Sequence, residues 1–504
     1  MLARASAKCG KISLDEGKVG MINILLCAFA VGLLVCSAAR VAVEIYNFPN
    51  EAPVARDFAV SADGNSVFVY DTAVAAIAAF GMDGKAEIRI KPQAVFEKVD
   101  IRPLSRKIEY SIKDGVIGFA LDGPLQLSVE LDGNIKRPLY IFANPMETPP
   151  VDLSASGIRY FAPGHVYKED EIWLKSSQTL YIAGGAIVQG YVRADGAENI
   201  RVLGPDILDA SYRTEQKTAT AKLSQCRNVE IRGPLMIDSY GWTVHLSRTS
   251  DVVVDNVKLV GWRANSDGID IEACRRVRVN HCFLRDDDCV AVKNMANTKP
   301  YDIASDILIE DTVFWNGVPG NAMEIGFELQ GEAIRNVVFR DCDIIRVERG
   351  AAFSIHNGDT AKVENMTFEN IRVEDDLGDF AALYIGLSIY SADCPKPYWR
   401  GNPQRKKVPD NMRDPVSGDN VAQWLVPADK GMFAANRGSI CNVTFRNIHF
   451  FGKELPPSII IGYDASHTIE DVTFDGIYLN GHRLSSWPKG KLVTRNTGNI
   501  RLVN

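Results

Sequence analysis

The chain has no Cys-x-x-Cys pair, no excess of basic residues, few long hydrophobic runs and almost no amphipathic helical periodicity. Each shortage removes a class of protein. Ten cysteines are present, but three (Cys9, Cys27 and Cys36) lie in the N-terminal segment, leaving an odd seven without close pairs. Such a set argues against a zinc site or a dense disulfide framework. These seven read as small buried apolar residues, with one or two bridges open in an oxidising compartment. A formal charge of −7 offers no basic face to a nucleic acid. The one extended apolar run, from Met21 to Val35, is short for a membrane span. Lys8, Lys11 and Lys18 precede it and Ser37-Ala38-Ala39 follow it. Residues 1–39 therefore read as a signal peptide of a secreted or periplasmic protein, with an uncleaved anchor as the alternative.

Two kinds of chain follow. Residues 42–148 alternate short apolar runs, such as Ser66-Val67-Phe68-Val69-Tyr70, with Asp-Gly pairs at 63–64, 83–84, 114–115, 122–123 and 132–133. Asp-Gly suits tight hairpin turns, so a small antiparallel β-sandwich is expected. Pro145, Pro149 and Pro150 mark its end.

From about residue 155 to 504 a motif of the form Asn/Asp-Val-x-Val/Ile recurs. It occurs at Asn228, Asp251, Arg276, Asp306, Asn336 and Asn365, separated by 23, 25, 30, 30 and 29 residues, and again at Asn442 and Asp471, 29 apart. A period of this size marks stacked repeats. The units are strand-rich and their polar residues suit turns, which predicts an all-β, right-handed parallel β-helix. Residues 394–437 break the period with six prolines, Tyr398, Trp399, Trp424 and many charges. Such an insertion either covers a cleft or is merely solvated.

The densest acidic feature is Asn265-Ser266-Asp267-Gly268-Ile269-Asp270, followed by Asp286-Asp287-Asp288-Cys289-Val290-Ala291-Val292-Lys293. Asp267 and Asp287 are 20 residues apart, close to one coil, and stacked strands lie about 4.8 Å apart. Crowded carboxylates push one another's pKa values apart, which can leave one as acid and another as base. Turn aspartates or a Ca²⁺ site would look similar. Simple alternation sends Asp270, Asp287, Cys289 and Lys293 outward and buries Asp267 and Asp288, unless the chain bends at Gly268 and after the aspartate run.

These residues resemble the active-site strands of clan N glycoside hydrolases: family 28, the polygalacturonases, and family 49, the dextranases and isopullulanases. Gly184-Gly185-Ala186 and Gly241-Trp242-Thr243-Val244-His245 extend the resemblance. It implies inverting hydrolysis with Asp287 as general acid and Asp267 and Asp288 activating water, no cofactor and no metal ligand. Asp286 is a register competitor to Asp287. Two departures concern the substrate. Gly320-Asn321-Ala322 stands where polygalacturonases carry Gly-His-Gly, and their Arg-Ile-Lys is missing around Ala351-Ala352-Phe353-Ser354. Glu324 and Glu328 face outward instead on a strand read as cleanly alternating. An acidic groove suits a neutral, dextranase-like glycan.

The expected substrate contacts are Asp270, Lys293, Asn321, Glu324, His356 and His245, while Trp242, Trp262 and Trp315 read as packing residues. The expected partner is a carbohydrate, with no nucleic acid, no membrane span after processing, and a monomeric state. Rival readings are a pectin-directed hydrolase using Lys293, Lys299 and Arg349, a Ca²⁺-dependent lyase, and a non-catalytic solenoid.

Overall fold

The computed structural model describes residues 43–503, apart from 147–148, 150–151, 213–217, 296–302, 319, 376 and 415–423. The N-terminal apolar segment and Lys299 lie outside the described residues.

The first 100 described residues form two facing sheets. One orders Val43–Ile45, Ala76–Met82, Leu139–Pro145, Leu125–Leu131 and Val99–Arg102; the other orders Asn65–Val67, Phe58–Ala62, Ala86–Pro92, Val116–Leu121 and Tyr110–Lys113. Pairing is antiparallel except between Ala76–Met82 and Leu139–Pro145. Three of the five Asp-Gly turns close with both residues at positive φ, at Asp63 (47°) and Gly64 (78°), Asp114 (52°) and Gly115 (72°), and Asp132 (52°) and Gly133 (70°); at 83–84 only Gly84 does, and at 122–123 neither residue does. Ala86–Pro92 alternates buried and exposed residues, as a strand with one solvated face should. Ala76–Met82 is buried throughout because its second face meets the following domain.

From Ile158 onward the strands stack as a parallel β-helix, each pairing with its counterpart one coil away. The sequence motif has a backbone cause. Asn199, Asn228, Asp251, Arg276, Asp306, Asn336, Asn365, Asn442, Asp471 and Asn499 all adopt φ between 53° and 63°. Asn and Asp tolerate this left-handed conformation at low cost. Their side chains also stack along the axis: Asn336 Nδ2 donates to Asp306 Oδ1 at 3.0 Å and Asn365 Nδ2 to Asn336 Oδ1 at 3.0 Å. The valines that follow pair in register, Val229 with Val252 and Val252 with Val277, and point into the coil. Phe339, Phe368, Phe445 and Phe474 form a core stack with centroids 4.8–5.3 Å apart.

A second face of the helix, including Ile207, Leu235, Val260, Phe283 and Trp315, packs on Ile77, Tyr140 and Phe142 of the sandwich. Buried Lys258 sits in this junction and donates to Asn144 Oδ1 (2.8 Å), Gly233 O (2.5 Å) and Asn256 O (2.8 Å). Three acceptors match the three donors of an ammonium, but burial disfavours its charge and lowers its pKa to about 7. The seven cysteines from Cys226 to Cys441 are all free thiols, so neither open bridge forms.

Candidate active site

The third face builds the site. Val244–Ser247, Ile269–Glu272, Val290–Asn294, Met323–Leu329 and Ala351–Asn357 pair in succession, aligning His245, Asp270, Ala291, Glu324 and Ser354 in one row. Asp267 and Asp287-Asp288 lie on the turns that enter two of these strands. Those turns stack by backbone hydrogen bonds: Gly268 N donates to Asp288 O at 2.7 Å and Ile269 N to Cys289 O at 3.0 Å. The approach leaves no room for side chains. A Cβ on Gly268 would lie 2.4 Å from Cys289 O, and one on Gly320 2.1 Å from the Asp287 carbonyl carbon.

Alternation fails at two points. Cys289 is in the core rather than outward, because the aspartate run is a turn and strand parity restarts at Val290. Met323–Leu329 is not cleanly alternating. Its register shifts against Val290–Asn294, and Phe327 turns out to stack on His356 (4.4 Å) and Tyr390 (4.9 Å).

A cleft of about 1130 Å³ opens beside this wall, with Asp267, Asp287, Asp288, Lys293, Asn321 and His245 among its lining residues. Lys293 is the hub of its charges. Its Nζ lies 3.1 Å from Asp267 Oδ2, 2.8 Å from Asp270 Oδ1 and 3.8 Å from Glu328 Oε2, and 4.1 Å from the centroid of the Trp242 ring. Burial opposes its charge, but Asp270, Asp267 and Glu328 prevail and hold the ammonium protonated. Asp287 Oδ2 accepts from Asn265 N at 2.5 Å. Burial, and then the charge of Asp267, push its carboxyl up to about 7, against Asn265 N–H, Lys293 and Arg400. Asp288 is raised by burial and by Asp267, Asp287 and Glu324, and accepts from Asn321 N (2.6 Å) and Nδ2 (3.1 Å).

Asp286 lies beneath the turn. Its carboxyl fills the space left by Gly261 and Gly268, finds no hydrogen-bond partner among the described residues, and is driven toward the neutral acid by burial. Asp287 and Asp288, not Asp286, face the cleft.

Three expected substrate contacts are not on the lining. Asp270 is buried under Lys293. Glu324 is buried, accepting from Ser354 Oγ and lying 3.0 Å from His356 Nδ1. Phe327 covers His356 and Tyr390 stacks on Phe327, so Glu324 and His356 lie behind the wall rather than on the cleft. His245 reaches the cleft, 2.8 Å from Glu272 Oε2. Trp315 packs in the core, but Trp242 lines the cleft and Trp262 is 47% exposed.

The opposite wall belongs to the insertion. Tyr398, Trp399, Arg400, Arg405, Lys406 and Lys407 border the same cleft. The segment is not structureless: Trp424–Leu425 pairs with Leu387–Ser388, and Asp414 accepts from Tyr384 and Arg495. Buried Arg437 donates to Gly358 O and to Gly386 O and pairs with Asp393. The charges and aromatics of residues 394–437 were visible in the sequence, but their position over the cleft carried no local signal.

A family model described as glycosyl hydrolases family 28 matches residues 165–376, the coils that carry the whole carboxylate cluster. The fold and this match define what the region resembles: residues 165–376 form parallel β-helix coils similar to those of family 28 glycosyl hydrolases. Among curated proteins, a probable endopolygalacturonase D of Neosartorya fischeri is 23% identical over 189 residues, 37% of this chain and 36% of the relative. An exopolygalacturonase of Arabidopsis thaliana is 24% identical over 154 residues, 30% of this chain and 35% of the relative. The chain thus spans about a third of the length of these relatives. Among solved structures, Dex49A from Penicillium minioluteum has a similar fold, with a TM-score of 0.60 at 15% identity over 90% of this chain and 96% of that one.

Proposed function

We propose that the protein hydrolyses glycosidic bonds with inversion, Asp287 giving a proton to the leaving oxygen while Asp267 activates water; Asp288, whose carboxyl burial and its neighbours raise, faces the same cleft beside them. The observation that carries this is the unequal treatment of neighbouring carboxyls on one cleft wall. Asp287 is raised to about 7, while Asp267 is paired with the ammonium of Lys293 at 3.1 Å. A carboxyl raised in pKa beside one paired with an ammonium is the asymmetry from which glycoside hydrolysis can divide acid and base roles. Asp287→Asn keeps the shape and removes the proton, and kcat should fall by roughly 10²–10⁴-fold or more. Proton NMR of the first product should show the anomer opposite to the bond cleaved. Full activity in Asp267→Asn, Asp287→Asn and Asp288→Asn alike would place the chemistry elsewhere.

For the substrate, the insertion favours a glycan that bears carboxylates, as the polygalacturonase relatives' names suggest for them. Lys222, Arg405, Lys406 and Lys407 line the cleft, are exposed, and have no ion-pair partner among the described residues. The expectation of a neutral glycan rested on an acidic groove without cations, and this wall supplies them from outside the repeat. The neutral reading keeps one observation: Ala352 and Ser354 leave the coil beyond Glu324 uncharged. Parallel assays of reducing ends released from polygalacturonate and dextran separate the two. A faster rate on dextran would refute the carboxylate-bearing substrate. We also propose a secreted or periplasmic location, from the apolar segment before residue 39. It is tested by sequencing the N-terminus of the mature protein.

A further inference from the structure

The roof and the floor of the cleft meet at one residue. Arg400 Nη2 donates to Asn265 Oδ1 at 2.9 Å, across 135 residues of sequence, and Asn265 N donates to Asp287 Oδ2 at 2.5 Å. Asn265 holds a left-handed backbone, φ 68°, two residues before Asp267. That conformation aims its amide at the neighbouring coil, and the side-chain bond to the insertion resists its relaxation.

Arg400 is itself held. Its backbone N donates to Ile389 O at 2.7 Å, closing the insertion on its own stem, and Lys406 N donates to Pro397 O at 2.6 Å. The stem is tied to the coils by Arg437 and by Ser391, whose Oγ donates to Gly358 O at 2.6 Å. A rigid path therefore runs from the coil backbone through the insertion to the amide that binds Asp287.

We propose that Arg400 is a positioning residue for the proton donor: it fixes the Asn265 amide on Asp287 and sets the pH at which that carboxyl gives up its proton. This rests on the reading of Asp287 as the general acid. The insertion is then part of the site, and order in residues 389–413 decides how the acid titrates. The charged groups around Asp287 are Asp267 and Lys293 on the wall, Asp286 and Asp288 beside it in the chain, and Arg400 on the roof. The four carboxylates and Lys293 are fixed by the coils. Arg400 is the member of this set that comes with a separate segment, so its removal should act on Asp287 without dismantling the wall.

The test compares the wild type with Arg400→Met, which loses tether and charge, and Arg400→Lys, which restores the charge. Carbodiimide couples to protonated carboxyls, and peptide mass spectrometry reads its yield at Asp287 as a function of pH without any substrate. The Asp287 midpoint should rise by about half a pH unit or more in Arg400→Met, since a nearby opposite charge favours the ionised form. Arg400→Lys should recover most of the shift. In the hydrolysis assay on polygalacturonate, the alkaline limb of kcat/KM should move by the same amount, with kcat reduced. An unmoved midpoint in folded Arg400→Met would overturn the proposal. A moved midpoint with no hydrolysis of polygalacturonate or dextran would uphold the coupling and instead refute the glycosidase reading.

Discussion

Replacing Lys293 by methionine removes one ammonium and keeps most of the side chain's length and flexibility. The ammonium lies 2.8 Å from Asp270, 3.1 Å from Asp267 and 3.8 Å from Glu328, and the Lys293 and Asp270 side chains are only 5% and 0% exposed. At such distances each charge pair is worth on the order of 5 kcal/mol before desolvation at an effective dielectric constant of 20. The net figure is smaller, because burying these four charged groups has already cost free energy. Breaking a buried pair by removing one partner typically costs about 3–5 kcal/mol. The variant has one escape: burial already raises the Asp270 carboxyl, so it can protonate and stop repelling Asp267. The loss should therefore be largest at pH 7.5 and smaller at pH 5, where protons replace the missing ammonium. Urea unfolding at the two pH values measures this. Adding Asp270→Asn to Lys293→Met should recover about 1–3 kcal/mol, the coupling expected between contacting residues. Activity should fall about 10²-fold or more even where the protein is folded, because Asp267 loses the ammonium it is paired with. A stability loss below about 1 kcal/mol, or one equal at both pH values, would refute Lys293 as the hub of this charge set.

Further outcomes are expected. The carboxyl of Asp287 is raised in the folded protein, to about 7 from an ordinary value of 3.8. The folded state thus binds this proton more tightly, and stability falls as pH rises from about 4 to 7. Asp287→Asn should flatten part of that slope in thermal melts, and an unchanged slope would contradict the burial argument. Gly320→Ala places a methyl 2.1 Å from the Asp287 carbonyl carbon and 2.3 Å from Asp288 N. It should displace the aspartate turn, lowering kcat at least tenfold with some loss of Tm; wild-type kinetics would show that the turn can yield. Lys406→Glu with Lys407→Glu should raise KM for polygalacturonate several-fold and weaken its dependence on salt, leaving dextran turnover unaffected. Equal effects on both glycans would point to a disordered roof rather than lost charge.

Much of the fold is written locally. One residue per coil takes a left-handed backbone, and Asn or Asp fills that place from Asn199 to Asn499 except at Arg276, so the repeat is visible as a motif. The neighbourhood of Asp267 and Asp287 was legible for the same reason: 20 residues are about one coil, and stacked turns bring such residues together. The alternation rule failed where the backbone leaves the strand. Cys289 is the last residue of the bend 287–289, and Phe327 follows Gly326 at φ 140°, so inward and outward exchange at both points. The burial of His356 involves Phe327 stacked on it, with Tyr390 stacked on Phe327 in turn, an arrangement that no spacing within one strand reveals. The insertion is least legible. It has no period, and its place over the cleft is set by single long-range contacts such as Arg437 with Gly358 and Arg400 with Asn265.

Those contacts bear on how charge is distributed in a stacked fold. Neighbouring coils are only about 4.8 Å apart, so any charge added to the wall lies beside the carboxylates it would perturb. Lys293 shows the consequence, since its ammonium is neutralised by Asp267, Asp270 and Glu328 and has little left to offer a ligand. A cation meant for a substrate carboxylate must stand away from the floor, and the insertion provides that distance. Arg405, Lys406 and Lys407 border the cleft from a segment outside the repeat, free of ion pairs among the described residues. The division allows a carboxylate cluster with a raised Asp287 to coexist with attraction for an anionic chain. It also makes recognition and catalysis separable: charge reversal at Lys406 and Lys407 should act on KM, and Lys293→Met on kcat. If Lys406→Glu with Lys407→Glu lowered kcat without touching KM, the roof would be tuning the floor rather than holding the glycan, and this division would be wrong.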